Sequence, residues 1–479
     1  MNEKSAKLKR VLGLAPTYGA AVGLVVSGTA MFSVGTVAGK VGYATFISAF
    51  IALIPMMMAA FAFGELTAML PGGGMISDYT LPALGRFWAT FSLLSGYVVL
   101  IATDGGAQLV IGGLTIQKIF GIPQIIVTLA MLLSVVLINI FNVGIYGKVE
   151  TIVTILMMVL FALLSICGIG QLGEVYANVM PQNTTMNLNI AANWKNVLSN
   201  AGAAVWFFIG FEFACPMAEE NVKPYKNIPY ALILGLLTIY LVDSLFAFAA
   251  VRYTDIKVLQ NSTTPQLDAA TAMLGKTGSL IMACLTFFAA FTTANAYIAS
   301  LPRMLYGLAR EKLVPDFFAK INSKTRTPIY GILFTSVLIL ITVFYITLNG
   351  NKTEVVQGLI NIASITWLVS YAIAMLDVLI LRKKYSTFPR LWKAPMVKVT
   401  MPLGLLGILF AIYTLRDSLL YAVICMAVVS IYIIIWGKIK KVNMNEIPHI
   451  SKMVLDIRER AEYLELWDEE VDKWCRDNE

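Results

Sequence analysis

Long apolar runs recur along the chain, broken at intervals by short polar or Gly/Pro-rich stretches. IIVTLAMLLSVVLINIF (125–141) and YAVICMAVVSIYIIIW (421–436) approach the roughly 20 residues that cross a hydrocarbon core. This pattern predicts twelve helices, at about 14–38, 42–69, 86–117, 123–143, 149–171, 195–217, 229–251, 275–309, 328–348, 354–381, 399–415 and 418–437. PGGG at 71–74, GIP at 121–123, a polar Asn/Thr loop at 178–196 and the charged block before Pro328 mark the main breaks. No linker separates folding units, so residues 1–437 are expected as one transmembrane domain. Past 437 the pattern changes. VLDIRERAEYLELWDEEVDKW is charged with apolar residues at helical spacing, which predicts a short amphipathic cytoplasmic helix within a 438–479 tail. A solubilising tail docked on the inner face is the simpler reading; a regulatory plug over the cytoplasmic entrance is the alternative.

Composition agrees with a polytopic membrane protein. Of 479 residues 58% are hydrophobic and only 13% charged, against about 25% charged in soluble domains; mean hydropathy is +0.75. The basic start MNEKSAKLKR is followed by an apolar stretch with no A-x-A-like cleavage site, so that stretch reads as the first membrane helix. Cysteines 167, 215, 284, 425 and 475 are scattered and suggest neither a disulfide framework nor a zinc cluster. The net charge of +8 is distributed by loop, with basic clusters at 4–10, 303–326, 382–398 and 438–441, and few Lys or Arg in 173–194. That distribution argues against nucleic acid as partner. By the positive-inside rule it places both termini in the cytoplasm, with an even number of spans in a multi-pass plasma-membrane protein whose other partner is lipid. Enzyme readings find no support. The chain has no P-loop and no Cys/His cluster at metal-ligand spacing, and its only histidine, His449, lies in the tail. No metal site, cofactor or catalytic residue is expected.

Two predicted helices carry the same interruption. Helix 1 contains GLVVSGTAMFSVG (23–35), where Ser27, Gly28 and Thr29 break the apolar pattern. Helix 6 contains WFFIGFEFACPMAEE (206–220), where Glu212 lies between Gly210 and Pro216. Five spans separate the two, so they fall at matching positions of two halves, about 14–171 and 195–381, with 399–437 as two extra helices. Interrupted helices at matching positions point to a transporter site on an inverted repeat. Unwinding a helix in hydrocarbon leaves backbone groups unpaired, at several kcal/mol each, unless they line a cavity or bind a ligand. Half-helix N-termini offer N–H groups to a carboxylate. Free carbonyls at the facing ends suit an ammonium, so a small zwitterion matches such a site.

At these residues the chain resembles the amino acid–polyamine–organocation superfamily. VVSGTAMF is similar to that family's unwound helix 1 signature. FAFGELTAMLPGGGMISDYTLPALG (61–85) resembles the end of its helix 2, and WFFIGFEFACPMAEENVKPYKNIPYA (206–231) its helix 6. LPRMLYGLAREKLVPDFFAKINSKTRTPIYG (301–331) resembles its helix 8–9 loop. The resemblance implies an all-α fold with five-plus-five inverted repeats, the leucine-transporter type, with helices 1 and 6 broken. Departures are Val26 where a glycine usually precedes the serine, Ala309-Arg310-Glu311-Lys312 in place of A-R-D-G, and Met157 where many uptake members carry a lysine. The last shifts the expectation from lysine-driven symport toward exchange or carboxylate-coupled transport.

By this resemblance, backbone atoms of Val26, Ser27 and Gly28 would receive a substrate carboxylate, and carbonyls of Leu24, Trp206 and Ile209 its amine, with Thr29 and Gly210 completing the breaks. Trp206 matches an aromatic that closes over substrate; a packing tryptophan is the alternative. Glu212 is a proton-coupling candidate, or a structural carboxylate accepting from unwound amides. Asp104 lies one turn past Leu100 on one face of helix 3, where it would pair with a distal amine, act as a gate, or sit in an outer vestibule. Tyr297 would stack on substrate, with cation–π contact to a cationic group, or bond a backbone carbonyl. Asp243 and Asp377 are further acids within spans, the latter expected to pair with the basic LRKKY end; Glu65 and Glu150 are expected to be structural. Three functions follow. The preferred one is a secondary transporter of amino acids or related amines working by exchange. The others are proton-coupled uptake of a small neutral amino acid or an amino alcohol, as in the ethanolamine permeases that VGLVVSG also resembles, and a transporter-like sensor or non-transporting partner subunit.

Overall fold

The computed structural model describes residues 9–141, 146–170, 190–322, 325 and 327–478; the side chains of 146–151, 190–192, 477 and 478 are outside the description, and with them the expectation for Glu150. Helices account for the architecture, and the described residues contain no strand beyond a single bridge between Leu12 and Asn221.

In chain order the helices are α1 (Leu14–Gly23), α2 (Gly28–Val41), α3 (Thr45–Met69), α4 (Ile76–Leu84), α5 (Arg86–Leu93), α6 (Val99–Phe120), α7 (Gln124–Ile140), α8 (Tyr146–Ile169), α9 (Ile190–Ala204), α10 (Pro224–Tyr253), α11 (Ile256–Asn261), α12 (Pro265–Arg310), α13 (Ile329–Leu348), α14 (Thr353–Lys384), α15 (Val397–Thr414), α16 (Arg416–Lys440), α17 (Ile450–Arg460) and α18 (Glu465–Asn478). Ten stretches among the described residues are long and apolar enough to cross a membrane. One of them, Gly28–Met69, joins α2 and α3, and α7 is a shorter apolar helix of 17 residues.

Several boundaries differ from the sequence reading. A helix, α4, occupies what reads as a break after PGGG. The polar loop expected to reach 196 gives way to α9 at Ile190. α12 begins ten residues before the expected 275, although its backbone leaves helical geometry at Leu274 and Gly275, so the predicted start coincides with a kink. The tail forms two helices, α17 and α18, where one was expected.

Burial divides the bundle. α6 is buried almost throughout, between α12, α13 and α14, its polar Asp104 and Gln108 included. α15 and α16 lie outside, with Leu406, Leu409, Leu420 and Ile431 all exposed, as a lipid-facing surface requires.

At one end of the bundle the N-terminal stretch and the tail pack against the helices. Val11 and Leu12 amides donate to the Glu220 carbonyl at 2.8 and 2.9 Å. Arg10 donates to the carbonyls of Ala218 (2.7 Å) and Asn221 (3.1 Å), and its Nε to that of Glu462 (2.9 Å). Burial pulls the Arg10 guanidinium below its ordinary pKa against the carboxylates of Asp468, Glu219 and Glu462. In the tail, Ile450, Met453, Val454, Ile457, Trp467 and Val471 turn inward. Trp467 Nε1 reaches the Met69 carbonyl at the end of α3 (3.0 Å), and Arg460 bridges Asp78 (3.2 Å) and Glu219 (3.1 Å).

Candidate functional site

The first break lies between α1 and α2. After Gly23 the chain makes two local bonds, Val26 N to the Val22 carbonyl (3.0 Å) and Ser27 N to the Val25 carbonyl (2.8 Å). Ser27 is extended (φ −113°, ψ 160°), which interrupts the helix, and its Oγ accepts from Ala30 N at 3.1 Å to cap α2. The second break follows α9. A 3-10 turn at Val205–Phe207 leads through Phe208 to Gly210, then a 3-10 stretch, Phe211–Glu219, contains Pro216. Gly210 has φ +111°, a conformation that strains any side chain. A Cβ there would lie 2.4 Å from Leu24 Cδ2. The two interruptions therefore press against each other.

A polar network ties them to two neighbouring helices. Trp206 Nε1 donates to Thr29 Oγ1 at 3.1 Å. Gln108 on α6 donates through Nε2 to Thr29 Oγ1 (2.5 Å) and Asp104 Oδ2 (2.9 Å), and its Oε1 accepts from Thr29 N (3.1 Å). Tyr297 on α12 donates to Asp104 Oδ2 at 2.8 Å. Asp104 is fully buried, and its Oδ1 has no hydrogen-bond partner. Buried polar atoms are normally satisfied, so this oxygen is an exception within the network.

Glu212 has a different environment. One of its oxygens accepts from Tyr97 Oη (3.0 Å) and Trp367 Nε1 (2.7 Å), the other from Tyr371 Oη. Tyr371 Oη in turn accepts from Gly210 N at 3.3 Å. Tyr97 stands in a π-helical turn, Leu94–Val98, between α5 and α6, a local widening frequent at functional sites. Trp367 meets Trp206 edge-on with centroids 6.4 Å apart and so joins the Glu212 cage to the Thr29 network.

The structure thus brings together Leu24, Ser27, Gly28, Thr29, Asp104, Trp206, Gly210, Glu212 and Tyr297; Val26 and Ile209 are buried beside them. Tyr297 bonds the Asp104 carboxylate and not a backbone carbonyl. Side chains of α14 and the π-turn surround Glu212 as an aromatic cage, beside any amide of its own break. Asp377 does not pair with the basic end of α14. Its Oδ2 accepts from Thr80 (2.6 Å), while Arg382 pairs with Glu65 (2.5 Å). Five residues along a helix turn the side chain by about 140°, so Asp377 and Arg382 face different neighbours. Glu65 also accepts from Ala394 N (2.7 Å), which ties α3 to the loop after α14. Asp243 has no ion-pair or hydrogen-bond partner among the described residues.

Sequence reading missed Gln108, Trp367 and Tyr371. Gln108 stands four residues after Asp104 in an apolar helix, and Trp367 and Tyr371 are also four apart, so helical spacing carried both signals. Among the described residues no three His, Cys, Asp or Glu side chains converge as a metal site.

A family model described as amino acid permease matches residues 12–441. An uncharacterized transporter of Rhizobium meliloti is 25% identical over 36% of this chain and 38% of its own length. A putrescine transporter of Haemophilus influenzae is 28% identical over 44% of this chain and 47% of its own. Both alignments span less than half of the relatives' length. A glutamate/serine transporter of Bacillus subtilis aligns more fully, at 24% identity over 86% of this chain and 78% of its own. Among solved structures, a manganese transporter of Eremococcus coleocola superposes with a TM-score of 0.59 over 96% of this chain and 99% of its own, at 11% identity. At that identity the likeness is one of fold. The architecture is the leucine-transporter type.

Proposed function

Since the chain belongs to the amino acid permease family, we propose that it is a multi-pass secondary transporter that carries amino acids or related amines across the plasma membrane by alternating access. Its preferred mode is exchange of one such solute for another. The carrying observation is the pair of abutting breaks, with Gly210 against Leu24 and Trp206 bonded to Thr29. Backbone irregularity at membrane depth is tolerated where it is buried in protein or lines a binding cavity. Here it is surrounded by Asp104, Tyr297, Glu212 and two tryptophans, the groups expected around a small polar guest. Relatives named for putrescine and for glutamate and serine support the solute class.

Exchange is supported by Met157, a buried apolar residue where many uptake members have a lysine. An exchanger couples two solutes by binding each in both outward and inward states. The Glu212 carboxylate supports a second reading, proton-coupled uptake. The N-terminal stretch and the tail meet on one face of the bundle, and the basic clusters favour the cytoplasm for that face.

Reconstitution decides between the modes. Vesicles loaded with a mixture of amino acids and amines should accumulate labelled solute, while empty vesicles should not. Uptake into empty vesicles driven by a pH gradient would replace exchange with proton symport. No uptake under either condition would defeat the transporter assignment for this solute class.

A further inference from the structure

Two of the three amides expected to receive a substrate carboxylate, those of Val26 and Ser27, are already engaged, as are the amides that follow Gly28. Val26 N and Ser27 N donate to the carbonyls of Val22 and Val25, Ala30 N to Ser27 Oγ, and Met31 N to the Ser27 carbonyl. Thr29 N donates to Gln108 Oε1. That oxygen lies 3.3 Å from where a Cβ on Gly28 would stand, so the carboxamide lies across the first turn of α2. Gln108 is also locked in orientation. Its Nε2 serves both Thr29 Oγ1 and Asp104 Oδ2, and turning the amide over would aim its oxygen at the Asp104 carboxylate. The positive end of α2 is thus occupied by an internal acceptor. A guest carboxylate would have to displace it and strand the Nε2 group, at the cost of unmade buried hydrogen bonds.

The opposite holds at Asp104. Both of its donors, Gln108 and Tyr297, bind Oδ2, and Oδ1 has none although the residue is fully buried. No lysine or arginine pairs with Asp104 or Glu212 among the described residues. An ionised carboxylate left unpaired away from water is costly, and an ammonium group supplies the missing donor and the missing charge together. Tyr297, bonded to Asp104, and Trp206, linked to it through Thr29 and Gln108, add aromatic surface suited to a cation.

We propose that this site selects amines that lack a carboxylate, with Gln108 filling the anion seat from within and Asp104 Oδ1 receiving the ammonium. The inference rests on the transporter reading and narrows its substrate class. Cargo is chosen by what the protein has already satisfied. An amino acid brings a second charge for which the seat is taken, while its decarboxylated counterpart brings only the charge that is missing.

Matched pairs differing by one carboxylate test it: ethanolamine and serine, putrescine and ornithine, agmatine and arginine. Binding to the purified full-length protein is read by thermal shift, and transport by counterflow in proteoliposomes. The amine of at least one pair should bind about tenfold or more tightly than its amino acid. Amino acids binding as well as or better than every matched amine would overturn the proposal, and this comparison needs no variant. Gln108→Ala, which frees Thr29 N, should reduce the amine preference by about tenfold, and Asp104→Asn should weaken amine binding by a similar factor. A folded Gln108→Ala protein with the wild-type preference would refute the role of Gln108. If neither member of any pair is bound or carried, the amino acid and amine transporter reading fails, and this inference with it.

Discussion

Gly210→Ala tests the abutment of the two breaks directly. The residue has φ +111°, so alanine would have to hold a conformation that costs an ordinary side chain about 1–2 kcal/mol. Its new Cβ would also lie 2.4 Å from Leu24 Cδ2 and 3.5 Å from Leu24 Cγ. Leu24 is itself buried, which limits its retreat, and overpacking of this kind costs about 1–3 kcal/mol. The two contributions together predict a loss of about 2–5 kcal/mol.

Gly358→Ala is the matching control. Gly358 lies inside α14 with no atom within 4 Å of the position its Cβ would take. Replacing an unstrained helix glycine by alanine stabilises by about 0.5–1 kcal/mol. Thermal unfolding in detergent, read by tryptophan emission, should therefore move in opposite directions for the two variants. A Gly210→Ala protein as stable as wild type would mean that the chain does not turn left-handed at 210, or that Leu24 is not pressed against it. Either result would separate the breaks and remove the observation on which the transport site stands.

Three further predictions are independent of that one. Trp206→Ala should reduce uptake in proteoliposomes by about tenfold or more, far more than it lowers expression, although the buried indole leaves a cavity that lowers Tm; an equal loss of uptake and expression would assign the indole to folding. Glu212→Gln replaces a carboxylate that accepts from three side chains by a group with a single acceptor oxygen, leaving at least one donor unmet. The cost is about 1–3 kcal/mol, read as a lowered Tm, and an unchanged Tm would contradict the cage. Arg460→Ala removes the bridge between Asp78 and Glu219, worth about 1.5–3 kcal/mol. Limited trypsin digestion should then release the tail faster than in wild type, and equal rates would show that the bridge does not hold it.

The helices were legible because their signal is local. Apolar length alone marks a span, and Ser27, Gly28, Gly210 and Pro216 mark the two interruptions by what they do to their own backbone. Boundaries failed where context decides. Pro265–Met273 and Ile190–Asn193 are short and mixed in polarity, and they become helical against neighbours that no window along the chain reveals. α4 escaped for the same reason, since it is a nine-residue helix directly after three glycines. The tail showed its amphipathic face but not the turn between α17 and α18, where Leu464 N donates to Asp468 Oδ2 at 2.7 Å.

The site divides along the same line. Sequence reading found the residues that are anomalous for a membrane helix, Asp104 and Glu212, because a charge in an apolar run is conspicuous by itself. It could not find what answers them. Gln108 is an ordinary residue by type, and its significance comes from reaching α2 across space; Trp367 and Tyr371 are ordinary aromatics until α14 is packed against the second break. The two acids look alike in sequence, each a lone carboxylate among apolar neighbours, yet one is surrounded by three donors and the other keeps an oxygen free. That difference separates a carboxylate the fold has already completed from one that a guest must complete, and it arises only when five separate stretches of chain converge.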